Sequence, residues 1–428
     1  MPLSQKPTYN LRAVLDETGI TADTLRVWER RYGVPLPERT AGGHRLYSQR
    51  DVQMIRWLLA RRTEGLPISR AVKQWNALIE SGEDPLAESL ARDRASSQAA
   101  LAAIRQEWLA ACRAYNEIAA EQALDRAFAA HSVEAVATDV ILYGLRDVGG
   151  GWRHGEVTVQ QEHFTSVLAT RCLHDLIAAA PIPTKPATVV LACPPAELHS
   201  LPLLYLNLML RRRGWNAVFL GADVPLDHLD DTTQRAGAAL VIMGAQRLYT
   251  AVGLREAAAF LARRLVPVAY GGYVFNEIPG LRDQIPGTFL GEAVDNSLDR
   301  IEGLLQGGAT VQQPRATTAN FSAQAYRTLR SEVEAALCKR LAELVGPETD
   351  LLIANAYFGS GLLAALELGN IAYLAADMDW IHFLLTRPRL PFDSRQTYLQ
   401  AYAAALRQVM GTTGKEISDW LESYAVSL

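Results

Sequence analysis

Two side chains separated by one residue, Glu197 and His199, are the pair in this sequence best placed to do chemistry. They follow the apolar run Val189–Cys193, which opens with two β-branched residues and predicts a strand covered on both faces. A histidine can ligate a metal through one ring nitrogen while a carboxylate binds the other nitrogen and orients the ring. The pair therefore predicts a ligand or metal site in the loop after a buried strand.

The residues on either side of this loop predict the elements that position it. Leu204–Arg213 has helical spacing, Gly214 stops the helix, and Ala217–Leu220 begins a second strand. Further strands are predicted at 239–244, 266–270 and 288–290, and they alternate with helices at 226–236, 252–264 and 294–305. This order predicts a doubly wound parallel α/β sheet of about five strands, which binds ligands at the carboxyl ends of its strands.

The spacing Glu197-x-His199 resembles the cobalamin-binding motif (Asp/Glu)-x-His-x-x-Gly, with Pro202 at the glycine position. The resemblance implies that His199 is the lower axial ligand of cobalt and that Glu197 binds its other ring nitrogen. Gly271-Gly272 resembles the later Gly-Gly turn of that family around the cofactor tail. The family's Ser-x-Leu turn is absent, because Met243-Gly244-Ala245 stands there. The alternative reading is an ordinary loop histidine and an ordinary glycine turn.

Composition limits the class of protein. A chain of 428 residues with 49% hydrophobic residues is expected to form roughly two to four globular domains. The sequence shows no signal peptide, and its longest uncharged stretch, Leu351–Leu366, is too short and too polar for a membrane span. The cysteines are scattered without a Cys-x-x-Cys spacing, which predicts a reducing, cytoplasmic location and no metal cluster.

The N-terminal segment is basic and predicts a nucleic-acid-binding domain. Residues 1–76 hold 13 Lys and Arg against seven Asp and Glu, whereas the whole chain has a net charge of −4. Residues 9–21 and 22–32 predict a helix-turn-helix with a basic second helix, and Gly42-Gly43 predicts a hairpin wing. The alternative reading is a solvated basic face on a helical hairpin.

The segments TLRVWERRYG and GGHRLYS resemble the winged-helix domain of MerR-type regulators, in particular the light-sensing, cobalamin-dependent CarH-type branch. Arginine can read guanine edges bidentately in the major groove, so Arg26, Arg30 and Arg31 are predicted to enter or flank it. Phosphate or adjacent-groove contacts are predicted from the wing for the following residues: Arg39, His44, Arg45 and Tyr47.

Residues 98–180 are Ala-rich with helical periodicity and predict a bundle of roughly four helices. Trp152 followed ten residues later by Glu162-His163 resembles the W-x9-E-H pattern of the same branch, where the bundle covers the adenosyl group of cobalamin. The resemblance implies that these three residues line the cofactor pocket. That branch carries histidine directly after the tryptophan, whereas this chain has Arg153 there and His154 one residue later. His154 is retained as a second candidate cobalt ligand, and the departure puts a bis-histidine light adduct in doubt.

Residues 321–428 predict an all-helical C-terminal domain. Within it, the stretch 368–411 resembles a helical module that follows cobalamin domains in some photosensors and holds a bilin. His382, Arg387 and Arg389 would suit an anionic chromophore by charge. The alternative is an oligomerisation or packing domain. The predicted organisation is a winged helix at 1–79, a linker at 80–97, a four-helix bundle at 98–182, the α/β domain at 183–308, a linker at 309–320 and the helical domain at 321–428.

The leading hypothesis is a non-enzymatic transcriptional repressor that binds operator double-stranded DNA and is controlled by adenosylcobalamin and light. The resemblance implies that the cofactor joins protomers into a tetramer and that light releases them. A second hypothesis keeps DNA binding but has a degenerate or light-independent cobalamin domain, with the signal entering through the C-terminal domain. A third is a corrinoid protein that carries methyl groups, which the DNA-binding head argues against.

Overall fold

The computed structural model describes residues 3–40, 42–314, 320–345, 351–386 and 394–427. They belong to two compact units, residues 1–101 and residues 102–428. The predicted fold class is confirmed: a winged helix-turn-helix, a helical bundle, a parallel α/β sheet and an all-α C-terminal region are all present. None of the described helices is long and apolar enough to cross a membrane.

The first unit is a winged helix built on a small antiparallel sheet. Its elements are β1 (Tyr9–Asn10), α1 (Leu11–Thr18), α2 (Ala22–Tyr32), β2 (Glu38–Arg39), β3 (Arg45–Tyr47), α3 (Gln49–Thr63) and α4 (Ile68–Glu80). Gly19 ends α1 in the left-handed region at φ 67°, and Thr21 caps α2 by accepting a hydrogen bond from the Thr24 backbone N–H. Strands β2 and β3 pair antiparallel and form the predicted wing. The apolar faces of these helices meet in a core around Leu25, Trp28 and Ile55.

The bundle contains more helix than the sequence predicts. Its elements are α5 (Ala87–Arg113), α6 (Glu117–Ala130), α7 (Val133–Ala135), a π-helical stretch (Val136–Leu142), α8 (Tyr143–Arg153) and α9 (Val159–Ala178). Helix α5 begins at Ala87, so the segment predicted as a linker over 80–97 is helical from residue 87 onward, and its role as a linker stays a prediction. The segment is polar but contains several good helix formers, including alanine, glutamate and arginine, which is why its polar composition did not indicate the helix.

The α/β domain is a five-stranded parallel sheet in the order β5-β4-β6-β7-β8. Its elements are β4 (Thr188–Ala192), α10 (Leu201–Arg212), β5 (Asn216–Gly221), α11 (Leu229–Arg235), β6 (Ala238–Gly244), α12 (Leu248–Ala262), β7 (Val268–Gly271), α13 (Tyr273–Glu277), β8 (Thr288–Phe289) and α14 (Ser297–Gly307). Strand β4 is buried along its whole length, as its apolar run predicts. The strand order reverses between β4 and β6, which creates a crevice at their carboxyl ends.

The C-terminal region is helical and packs on the α/β domain. Its helices are α15 (Phe321–Val345), α16 (Leu352–Glu367), α17 (Met378–Thr386), α18 (Ser394–Met410) and α19 (Lys415–Ser427). Buried side chains of α12 and α16 belong to one continuous apolar core, which includes Leu254 and Phe358. The described part of this region is therefore joined to the α/β domain by core packing.

Candidate functional site

Glu197 is the centre of a hydrogen-bond network at the crevice between β4 and β6. Its side chain is only 1% exposed, and its two oxygens accept four hydrogen bonds. Oε1 accepts from the backbone N–H of His199 at 2.9 Å and lies 2.7 Å from Nδ1 of the same residue. Oε2 accepts from the backbone N–H of Gln246 and from the hydroxyl of Thr250, both at 2.7 Å. The loop after β4 is thereby tied to the loop and helix after β6.

This network fixes both the charge of Glu197 and the orientation of His199. Burial by itself raises the pKa of the Glu197 carboxyl, but the hydrogen bonds from His199 and Gln246 outweigh it and the pKa is lowered. A carboxylate at Oε1 selects the tautomer with hydrogen on Nδ1, which leaves the Nε2 lone pair for a metal. The His199 side chain is 56% exposed, so an imidazole held by a buried carboxylate faces accessible space.

Two departures from the cobalamin motif have structural explanations. Pro202 lies in the first turn of α10, where the missing N–H and the fixed φ of proline are tolerated, so it starts this helix directly after the His199 loop. Met243 is fully buried in β6 and contributes to the apolar core. Neither residue disturbs the hydrogen bonds that hold Glu197 and His199.

The two glycines of the Gly271-Gly272 pair have different roles. Gly272 has φ 127°, and a Cβ there would come within 1.9 Å of the Ala245 carbonyl oxygen, so close approach of two backbones requires glycine. At Gly271, by contrast, an added Cβ would meet nothing within 4 Å. The space beside Gly271 at the carboxyl end of β7 is open to a ligand, and its use by a cofactor stays a prediction.

The bundle residues of the predicted pocket lie in two places. Trp152, in the last turn of α8, contacts the C-terminal helix α17, with ring centroids 4.8 Å from Trp380 and 5.7 Å from Phe383. Glu162, in the first turn of α9, lies 2.7 Å from His163 Nδ1 and accepts a hydrogen bond from Ser166 at 2.7 Å. The His163 side chain is 74% exposed. The structure thus gives this pair a local surface contact, and their part in a pocket remains a prediction.

His154 ends α8 and is exposed. Its Nδ1 lies 2.9 Å from the carbonyl oxygen of Gly150 in the same helix. The last carbonyls of a helix lack hydrogen-bond partners inside the helix. A hydrogen bond from Nδ1 of His154 to the Gly150 carbonyl would supply such a partner at the end of α8. Cobalt ligation by His154 stays a prediction.

Of the residues predicted to bind DNA, those on α2 and at the tip of the wing are exposed. They are Arg26, Arg30, Arg31, Arg39 and His44. Arg39 donates to the Gly43 carbonyl at 3.3 Å, a contact that holds the hairpin without burying the guanidinium. The helix and the wing therefore present basic side chains to solvent.

Two wing residues, Arg45 and Tyr47, form hydrogen bonds with Glu29 of α2. Tyr47 is 0% exposed, and its hydroxyl donates to Glu29 Oε1 of α2. Burial and this carboxylate raise the pKa of Tyr47. Tyr47 is therefore a core residue of the winged helix, and its contact with phosphate or the adjacent groove stays a prediction. Arg45, half-buried, donates to Glu29 Oε2 at 2.9 Å, so its first partner is a carboxylate that fixes the wing against α2.

Comparisons with known sequences agree with this division of the chain. The family described as MerR HTH family regulatory protein matches residues 9–74, and the B12 binding domain matches residues 104–176. The HTH-type transcriptional repressor CarH of Myxococcus xanthus is 36% identical over 222 residues, which cover 52% of this chain and 73% of that protein. The chain belongs to the CarH family of HTH-type transcriptional repressors.

The HTH-type transcriptional repressor CarA of the same organism is 35% identical over 222 residues, which cover 51% of this chain and 69% of that protein. Among solved structures, the monomethylamine corrinoid protein of Methanosarcina barkeri matches with a TM-score of 0.37 and 16% identity, covering 45% of this chain and 94% of that one. Membership of the CarH family makes this chain a transcriptional regulator with a MerR-type DNA-binding head and a B12-binding domain. Both of these relatives are HTH-type transcriptional repressors.

Sequence reasoning missed two residues of the site. Gln246 and Thr250 lie 49 and 53 residues from Glu197 and were not singled out. Thr250 lies in the first turn of α12, the helix after β6. Because β4 and β6 are neighbours in the sheet, a hydroxyl residue at this position was the sequence signal for a hydrogen bond to the loop after β4. Among the described residues no group of three or more His, Cys, Asp or Glu side chains could hold a metal ion.

Proposed function

We propose that this protein is a repressor that binds operator DNA through α2 and the wing and binds adenosylcobalamin at His199. The observation that carries the cofactor assignment is the arrangement of His199, whose Nδ1 lies 2.7 Å from a carboxylate that is 1% exposed. Glu197 fixes the ring, so Nε2 would be the atom that holds cobalt, and the open space beside Gly271 would accommodate the cofactor's tail. Bound there, adenosylcobalamin would supply a cobalt–carbon bond that light can break.

The residue set fits this cofactor. A single exposed imidazole with a buried carboxylate partner suits a metal that already carries its other ligands in a macrocycle, because the protein then has only one position to fill. The crevice at the carboxyl ends of β4 and β6 is where doubly wound sheets bind ligands. By family resemblance, Trp152, Glu162 and His163 would cover the upper face of the cofactor, and loading would join protomers into a tetramer that represses.

An absorption spectrum tests the cofactor assignment. The purified full chain is mixed with adenosylcobalamin in the dark, desalted and measured before and after illumination. We expect a retained corrin spectrum that changes irreversibly in light, and we expect loss of binding in His199→Ala. His174→Ala, an exposed histidine on α9, is the matched control and should bind as the wild type does. Failure of the wild type to retain the corrin would overturn the assignment.

The spectrum also separates the second candidate function. A retained spectrum that is indifferent to light would identify a dark cobalamin sensor. The packing of α17 on Trp152 favours the C-terminal region as a route by which a signal reaches the cofactor domain. A bilin held by residues 321–428 would be one such input, and adding a bilin to the purified chain tests it by the appearance of a bound, red-shifted spectrum. Arg387 and Arg389 of that hypothesis lie outside the described residues.

A further inference from the structure

The C-terminal region reaches the edge of the candidate cofactor site at Trp380 of α17. The guanidinium of Arg247 lies 4.4 Å from the Trp380 ring centroid. Arg247 directly follows Gln246, whose backbone N–H holds the buried Glu197. Trp380 therefore contacts the residue that directly follows Gln246, a member of the network that orients His199.

Trp380 also contacts the bundle. Its ring lies edge-on to Trp152 with 4.8 Å between centroids, and Tyr357 of α16 lies 5.9 Å from it on the C-terminal side. Tyr357 in turn contacts Tyr249 of α12 at 6.3 Å. The aromatic side chains of Trp152, Trp380, Tyr357 and Tyr249 thus form a cluster that connects the bundle, the C-terminal region and the α/β domain. This cluster lies next to the loop that follows β6.

The indole N–H of Trp380 is the unusual feature of this cluster. The residue is 7% exposed, and Nε1 is buried with no hydrogen-bond partner among the described residues. Leaving a donor buried and unpaired is unfavourable, and buried polar groups almost always have a partner. A donor held in this state beside a ligand site indicates an acceptor that arrives with the ligand.

We infer that Trp380 is a cobalamin-binding residue, which donates its Nε1–H to an amide carbonyl on the rim of the bound corrin. Those carbonyls are strong acceptors, and the Trp380 ring supplies an apolar surface beside them. The inference rests on the proposed function. It makes the C-terminal helices part of the cofactor site, so that filling the site alters a contact of α17.

The test compares Trp380→Phe with Trp420→Phe in the full chain. The first substitution removes the N–H and keeps an aromatic ring, and the second makes the same change at a tryptophan stacked on Tyr424 in α19. Absorption titration with hydroxocobalamin and with adenosylcobalamin measures the affinities. Loss of one hydrogen bond predicts binding about 3- to 10-fold weaker in Trp380→Phe for both cobalamins, with no change in Trp420→Phe.

A second readout follows the indole N–H of Trp380 directly in the wild-type protein, with Trp380→Phe used for assignment. The indole N–H resonance of Trp380 is assigned by its loss in Trp380→Phe, and it should move downfield when hydroxocobalamin is added, because the proton gains an acceptor. Unchanged or tighter binding in Trp380→Phe, or an indole resonance that does not move, would overturn the inference. If the wild type binds no cobalamin, the proposed function fails instead, so the two failures are distinguishable.

Discussion

At the residue scale, the candidate site depends on one buried carboxylate. Glu197 accepts hydrogen bonds from two backbone N–H groups, an imidazole and a hydroxyl, and so remains ionised in a buried place. Its fixed position orients His199 before any metal is bound, which lowers the entropic cost of metal binding. The positive φ of Ala196, 67°, shows that the loop also adopts an uncommon backbone conformation to bring Glu197 inward.

Thr250→Val should weaken this arrangement without changing the shape of the side chain. The substitution removes one of the hydrogen bonds to Glu197 and leaves its Oε2 with fewer donors in a buried place. We expect the free energy of unfolding to fall by about 1.5–3 kcal/mol, the range for a lost hydrogen bond to a charged group. Urea denaturation of the full chain measures this change.

Thr232→Val is the matched control for that measurement. The Thr232 hydroxyl donates to the His228 carbonyl in an exposed part of α11, so its loss should cost less than about 0.5 kcal/mol. Equal destabilisation by both substitutions would mean that the Thr250 hydroxyl has no special role at Glu197.

At the element scale, the site is made by the ends of neighbouring strands. The carboxyl ends of β4, β6 and β7 lie side by side, and their loops are joined by hydrogen bonds. The Gln246 side chain accepts a hydrogen bond from the backbone N–H of Tyr273 at 3.0 Å, while the Gln246 backbone holds Glu197. Gln246, in the loop after β6, therefore joins the loops that follow β4 and β7.

Gly272→Ala and Gly271→Ala separate packing from ligand space at the end of β7. Gly272→Ala places a Cβ against the Ala245 carbonyl in a positive-φ conformation, so we expect a loss of about 3 kcal/mol or more in unfolding free energy. Gly271→Ala meets open space and should cost less than about 1 kcal/mol. Thermal or urea unfolding measures both. A stable Gly272→Ala protein would contradict the backbone contact.

In Gly271→Ala the informative measurement is ligand binding. If the open space holds part of the cofactor, absorption titration should show weaker cobalamin binding in a protein of nearly normal stability. Unaltered binding would remove Gly271 from the proposed site.

At the scale of the whole molecule, charge is divided between the DNA-binding head and the rest of the chain. Residues 1–76 carry a net charge of +6 although the whole protein carries −4, so the remaining residues are acidic. A basic head favours association with a polyanion, whereas an acidic body disfavours unspecific contact through the rest of the surface. The exposed arginines of α2 and the wing are therefore expected to dominate DNA binding.

Arg39→Ala should reduce DNA binding in a salt-dependent way. If its guanidinium neutralises a phosphate, affinity for a mixed-sequence duplex falls and the slope of log affinity against log salt decreases in magnitude by about one. Fluorescence anisotropy at several salt concentrations measures this. Arg70→Ala, which removes an exposed charge from α4 of the same head, is the control and should leave the slope nearly unchanged.

Tyr47→Phe tests whether the Tyr47 hydroxyl stabilises the winged helix or contacts DNA. It removes the hydroxyl that bonds Glu29 inside the winged helix, so stability should fall while the salt slope stays the same. A reduced slope in Tyr47→Phe would support the predicted phosphate contact instead.

Much of the fold could be predicted from the sequence because its signals are local. The run Val189–Cys193 indicates a buried strand by its apolar residues alone, and Gly42-Gly43 indicates a hairpin by turn chemistry. The beginning of α5 could not be predicted, since a polar segment with good helix formers is ambiguous until its length and packing are known. The roles of Tyr47 and Trp380 were also hidden, because burial depends on residues distant in the chain.

The order of the parts, the family resemblance and the pair Glu197 and His199 can be read from the amino-acid sequence, because motif spacing and periodicity are properties of neighbouring residues. The hydrogen bonds from Thr250 and Gln246 to Glu197, and the contacts of Trp380 with Arg247 and Trp152, are visible in the folded chain alone. The strand order brings Thr250 and Gln246 to the loop after β4. Core packing between α12 and α16 positions the C-terminal helices, which include α17 with Trp380. Neither arrangement has a local signature, since each is selected by the burial of apolar surface across the whole domain.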